Sequence, residues 1–235
     1  MFCKSVEHWQ LNEDWPDLFT IKNPQTLVLG SFNPYNPQVE PLDYYYGRES
    51  NGFWRAIAAL EGKDEEYYFH SDREEARSRK LATMDDRFAL ADLIDRIDFK
   101  SENEQSLDKY INQKVLKGFA DQNIWRAASG SAEELVFLRR HYNQKILKFV
   151  AEQKSLKTII HTLGSSNLSE SKLSPQELSL GEDSLWVFFR KLEKLCQEHN
   201  IKFIRQSLSP SGYALSNGAT DFERLKDFYR EHLKF

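Results

Sequence analysis

Two stretches of this chain, TLVLGSF (Thr26–Phe32) and LKTIIHTLG (Leu156–Gly164), run apolar residue after apolar residue up to a glycine. A strand with one wet face alternates polar and apolar positions. An unbroken apolar run of this length belongs to a strand covered on both faces, as in a parallel sheet flanked by helices. Two further segments suit the same sheet: FALADLID (Phe88–Asp95), with an acid near its end, and IKFIRQSL (Ile201–Leu208). Helical spacing fills the intervals. FWRAIAAL puts Phe53, Ile57 and Leu60 on one stripe. Leu107–Phe119, Glu133–Phe149, Leu185–His199 and the closing DFERLKDFYREHLKF are also helical by periodicity. Lys63–Lys80, crowded with alternating charges, reads as a solvated helix. Strands alternating with helices predict an α/β fold in three layers, α/β/α, around a central, mainly parallel four-stranded sheet. No repeat or linker divides residues 1–235, so a single domain is expected.

Composition narrows the class. Of 235 residues, 40% are aliphatic or aromatic and 29% are charged, the balance of a soluble globular protein. No apolar run approaches a membrane-spanning length, and the N-terminal MFCKSVEHW has no signal-like apolar region. A cytoplasmic protein with no membrane partner is the expectation. The two cysteines, Cys3 and Cys196, build neither a disulfide framework nor a four-cysteine metal site, and Cys196 reads as packing. The net charge of −4 argues against a broadly basic nucleic-acid coat but leaves room for a local basic patch.

In layered α/β folds ligands sit beyond the carboxyl ends of the strands. The segments to inspect therefore follow Gly30, Leu90, Leu163 and Leu208. Two are unusual: SFNP…YYYGRESNGFW and SLSPSGYALSNG. The first contains Pro34, Pro37 and Pro41, which preclude regular structure up to Phe53. Residues 165–184 form a polar, serine-rich loop. Nucleotide-binding glycine motifs and the nucleophile elbow are missing, and the six histidines show no ligand spacing. His161, inside an apolar strand, reads as a core histidine. Neither a cofactor nor a metal is expected.

LVLGSFNP, YYYGRESNGFWRAI, FALADLIDRID and SLSPSGYALS, in this order before a C-terminal helix, resemble the uracil-DNA glycosylase superfamily. The resemblance is closest to its mismatch-specific uracil/thymine and hypoxanthine-type branches. It spans most of the chain and is weaker from about Lys114 to Lys157. It implies a uracil-DNA glycosylase-like fold and a monofunctional enzyme, active as a monomer, that hydrolyses the N-glycosidic bond of a damaged or mismatched base in DNA. The nucleotide is flipped out of the stack into a pocket. The departing base carries negative charge, so the reaction needs a placed water and fixed donors. The alternative is a catalytically silent DNA- or base-binding module of the same fold. A third reading, an unrelated hydrolase of free nucleosides, fits the Tyr213 wedge less well.

By this resemblance Tyr46 stacks on the flipped base, a role any π-face supports; Tyr44 and Tyr45 are weaker candidates. Asn51 orients a water or contacts the base, and it is equally placed to cap the following helix. Where the family carries Asp or Asn after the strand glycine, this chain has Phe32, assigned to the base pocket, with Asn33 one residue later. Asn33 has two readings, catalytic amide or Asn-Pro turn residue. Asp92 takes a base-reading position and, as a carboxylate, suits a base edge rich in N–H; its other reading is a surface acid or a partner for Arg96. Ser209, Pro210, Ser211 and Gly212 form the phosphate-contacting loop, and Tyr213 takes the place of the wedge that enters the duplex. Lys202, Arg205 and Arg224 are further phosphate candidates.

Overall fold

The structure is a computed structural model that describes residues 1–13, 15–33, 42–105, 107–108, 128–129, 136–161, 184–205 and 208–235. Strand β1 (Phe2–Glu7) leads into a helical turn, α1 (Trp9–Asn12), and then β2 (Thr26–Gly30). Helices α2 (Gly52–Leu60) and α3 (Arg73–Met84) precede β3 (Phe88–Asp92) and β4 (Ile94–Ser101). The chain continues through β5 (Ala128–Ser129), β6 (Val136–Tyr142), α4 (Gln144–Glu152) and β7 (Thr158–His161). It ends with α5 (Leu185–Glu198), β8 (Lys202–Arg205), α6 (Gly212–Ser216) and α7 (Phe222–His232).

The four expected strands form one parallel sheet in the order β3-β2-β7-β8. Every residue of β2 and β3 is buried, as their continuous apolar runs require. Helix α2 packs against α7, and α4 against α5, an arrangement compatible with three layers. Each helix opens on a side-chain cap: Asn51 for α2, Asp72 for α3, Asn143 for α4, Ser184 for α5 and Asp221 for α7.

A second, antiparallel sheet, ordered β1-β4-β6-β5, was not foreseen. Leu93 alone separates β3 from β4, so FALADLID serves both sheets in succession. The expected helix Glu133–Phe149 is corrected to strand β6 followed by α4. VFLRRHY carries β-branched, aromatic and basic residues that pair with β4, and Asn143 then starts the helix. Lys63–Lys80 is corrected as well. Only α3 is helical there, and Lys80 is fully buried rather than solvated. The three prolines, most of Leu107–Phe119, and residues 162–183 lie outside the described residues. No described helix is long and apolar enough to cross a membrane.

Candidate functional site

The site begins where β2 and β3 end side by side. Gly30 is paired in register with Asp92, and a Cβ on Gly30 would stand 2.1 Å from Asp92 Oδ1 and 3.0 Å from the Tyr46 hydroxyl. Only glycine leaves room for both groups. Asp92 is 3% exposed, and a buried carboxylate needs donors. Among the described residues it has two, both on Oδ2: His8 Nε2 at 2.7 Å and Asn33 Nδ2 at 2.5 Å. His8 is itself oriented, because the Gln10 N–H donates to its Nδ1 at 3.0 Å. The ring proton therefore lies on Nε2 and is donated to Asp92. Asp92 is thus neither a surface acid nor a partner for Arg96, which meets Asp98, Nε to Oδ1 at 3.0 Å.

The tyrosine run divides its labour. Tyr44 and Tyr45 are buried and pack edge-on against each other and around Trp15. The Tyr45 hydroxyl donates to Gln10 Oε1 and its carbonyl accepts from Trp54 Nε1 at 2.7 Å. Burial pushes both phenols well above their usual range. Tyr46 turns the other way. Its φ of 57° is left-handed, a conformation that costs a bulky residue energy and needs surrounding support. Support comes from Phe53, on which the Tyr46 ring stacks at 4.8 Å and 22°. Further support comes from α3: Arg77 Nε donates to the Asp43 carbonyl at 2.8 Å, Arg73 Nη2 to the Leu42 carbonyl at 2.6 Å, and buried Lys80 pairs with the Asp43 carboxylate.

Asn51 caps α2, its Oδ1 accepting from the Phe53 N–H at 2.9 Å. Nδ2 is left as the end of the amide open to a ligand. The loop after β8 docks directly on this helix start. The Gly52 N–H donates to the Pro210 carbonyl at 2.7 Å, and a Cβ on Gly212 would stand 2.5 Å from the Ser50 carbonyl. Within that loop Ser209 Oγ accepts from the Ser211 N–H at 3.3 Å, and Ser211 Oγ caps α6 through the Ala214 N–H at 3.2 Å. Tyr213, the next residue along, is 80% exposed.

All of these segments enclose one cavity of about 210 Å³. Its walls include Phe32, Asn33, Tyr46, Asn51, Asp92 and the loop Ser209, Pro210, Ser211 and Gly212. The structure thus brings together the candidates Phe32, Asn33, Tyr46, Asn51, Asp92 and Ser209–Gly212, with Tyr213 beside the cavity on α6; Tyr44, Tyr45, Lys202 and Arg224 do not line it, and the Arg205 side chain lies outside the described residues. The volume lies below the roughly 300–1,000 Å³ of drug-sized ligand sites and suits one planar ring system. Ser31, Ser50 and Arg48 also line it and were not singled out from the sequence. Burial lowers the Arg48 guanidinium from its ordinary value, and the Asp92 charge opposes that shift. A larger cleft of about 730 Å³ shares Arg48 and Ser50 with this cavity and includes His70 and Arg73.

One acceptor (Asp92), a cation (Arg48), amide and hydroxyl donors, and aromatic rings make a pocket for a flat, polar heterocycle. No cluster of three or more metal-ligating side chains occurs among the described residues. Compared with models of protein families, with curated proteins and with solved structures, the chain matches none.

Proposed function

We propose that this chain is a monofunctional DNA glycosylase of the uracil-DNA glycosylase type, acting on a damaged or mismatched base flipped out of DNA. The observation that carries the reading is the cavity itself. Loops from separate strand ends, picked out by sequence, converge on a space fit for one base at the carboxyl edge of a parallel sheet. The exposed Tyr213 ring beside it suits a wedge that fills the gap left by the base.

The chemistry follows from the groups present. The C1′–N bond breaks with its electron pair on the base, water adds to C1′ and yields a proton, and the base leaves protonated. Asp92 Oδ1 accepts a base N–H; Asn51 Nδ2 and Arg48 face the carbonyl oxygens where charge develops. Tyr46 stacks on the base, and the backbone of Ser209–Gly212 meets a flanking phosphate. Neither Asn51 nor Asn33 is a free water-orienting amide: one caps α2 and the other donates to Asp92.

A specific observation favours a second reading, a silent base-binding module. Phe32, largely buried, stands where the glycosylase family that the sequence resembles carries its water-orienting group. Single-turnover base release separates the two. Duplexes carrying uracil, hypoxanthine, xanthine or a G·T mismatch are mixed with excess protein, with Asn51→Asp as control. Release that the variant loses supports the enzyme; no release from any duplex by folded protein overturns it in favour of the module.

A further inference from the structure

We infer that His8, carried at the end of the first strand, is a positioning residue of the pocket that holds Asp92 with one carboxylate oxygen presented to the ligand. The inference rests on reading the cavity as a base pocket. Four observations meet at this residue. His8 is 2% exposed and lies outside the cavity wall, so it touches Asp92 rather than the ligand. The Gln10 N–H on Nδ1 fixes the tautomer, which makes Nε2 a donor to Asp92 Oδ2. Asn33 Nδ2 donates to the same oxygen. Oδ1, packed over Gly30, has no hydrogen-bond partner among the described residues, and among those residues Asp92 is the only carboxylate lining the cavity.

Two donors on one oxygen do two things. They occupy Oδ2, so that Oδ1 is the acceptor turned to the ligand, and they stop rotation that would exchange the two oxygens. The pocket then presents a fixed acceptor to a ring N–H, with Asn51 Nδ2 and Arg48 beside it as donors. The support reaches the site through backbone pairing. β1 pairs with β4 up to Glu7 and Arg96, and the His8 N–H donates to the Asp95 carbonyl at 2.7 Å. The second sheet thereby serves as the brace of an acceptor that hangs on the first.

The test uses the full chain in parent form and as His8→Phe and His8→Gln. Phenylalanine preserves the ring packing against Trp15, Tyr45 and Phe32 while removing the donor; glutamine returns an amide donor. Folding of each is checked by circular dichroism. Nitrogen NMR of the imidazoles, which needs no substrate, is expected to find the His8 proton on Nε2, and a proton on Nδ1 instead overturns the inference. In single-turnover release at saturating duplex, His8→Phe is expected to be slower by about 10- to 100-fold, with partial rescue in His8→Gln. Equal rates in parent and His8→Phe, or equal losses in both folded variants, overturn it. Should the parent release no base, the glycosylase reading fails separately. The three proteins are then titrated with free uracil and free hypoxanthine. Weaker binding by His8→Phe than by parent and His8→Gln supports the positioning role, and equal binding or none overturns it.

Discussion

The Asn51 side chain has one oxygen and one nitrogen, and the fold engages them differently. Oδ1 takes the Phe53 N–H, so replacing the whole amide removes a helix cap together with any ligand contact. Asn51→Ala is therefore expected to lose about 1 kcal/mol of stability along with base release. Asn51→Asp keeps a capping oxygen and removes the Nδ2 donor. Its urea midpoint should match the parent while release falls, and a variant that keeps its release would remove Asn51 from the site. This residue also shows what was legible at the smallest scale. The cap was available from the spacing of Asn51 before Phe53, and the structure shows it; the ligand role came only from the resemblance and rests on the Nδ2 that the cap does not use. Tyr46 was separable from its two neighbours only by resemblance, since nothing in YYY says which ring turns inward. Arg48 sits in the same stretch and went unremarked, because its place on the cavity wall with Asp92, not local sequence, gives it a role. His8 had no local signal at all: its partner lies 84 positions away.

At the scale of elements, helix α3 acts as a clamp on the pocket loop. Arg73, Arg77 and Lys80 reach residues 42 and 43, four and three positions before the strained Tyr46. Lys80 is fully buried against the rings of Trp54 and Phe69, and burial lowers its ammonium from the usual value while Asp43 opposes the shift. Removing one member of such a pair strands the other. Lys80→Met is expected to cost about 3–5 kcal/mol by denaturant unfolding, and the double variant with Asp43→Asn to recover most of it. Additive losses would show that the two side chains do not depend on each other. The β4 bulge gives a second expectation. A register shift between Ile94 and Arg96 isolates Asp95, whose carboxyl is pushed up to about 6 chiefly by burial and also by the Asp92 charge, against the opposing pull of Lys145 and His141. A raised carboxyl means the folded state holds its proton longer than the unfolded chain does. Stability should therefore fall as pH rises from about 4 to about 6 and stay reduced above that range. Asp95→Asn is expected to raise the melting temperature at pH 7.5 and leave it unchanged below about pH 4; no gain at pH 7.5 would contradict the assigned burial. These two elements mark the limits of periodicity. Alternating charge hid the buried Lys80, since charge patterning says nothing of a partner elsewhere in the chain. The β6 strand looked helical because an apolar 3.6 spacing survives in a short strand whose pairing is long-range.

For the molecule as a whole, the parallel sheet was legible because burial on both faces writes itself into TLVLG and FALAD as unbroken apolar runs. The antiparallel sheet was not, since β1 and β6 earn strand geometry only by pairing with β4. The rule that ligands gather at strand ends then pointed to the segments that line the cavity before any side chain was placed. Tyr213 tests whether that site works on duplex DNA. It is 80% exposed on a short helix whose start is fixed to Ser50 by the close approach of Gly212. An exposed aromatic in that position contributes little to folding, so Tyr213→Ala should leave the melting temperature nearly unchanged. Extruding a base costs a few kcal/mol from a stable pair and least from a mismatch or a single strand. A side chain that fills the vacated stack offsets that cost only where there is a stack to fill. Base release by Tyr213→Ala is thus expected to fall most, by about tenfold or more, on lesions in stable pairs, less at mismatches and hardly at all in single strands. A uniform loss across the three substrates would assign Tyr213 to general DNA affinity instead, and an unchanged rate on paired duplex would remove it from the reaction.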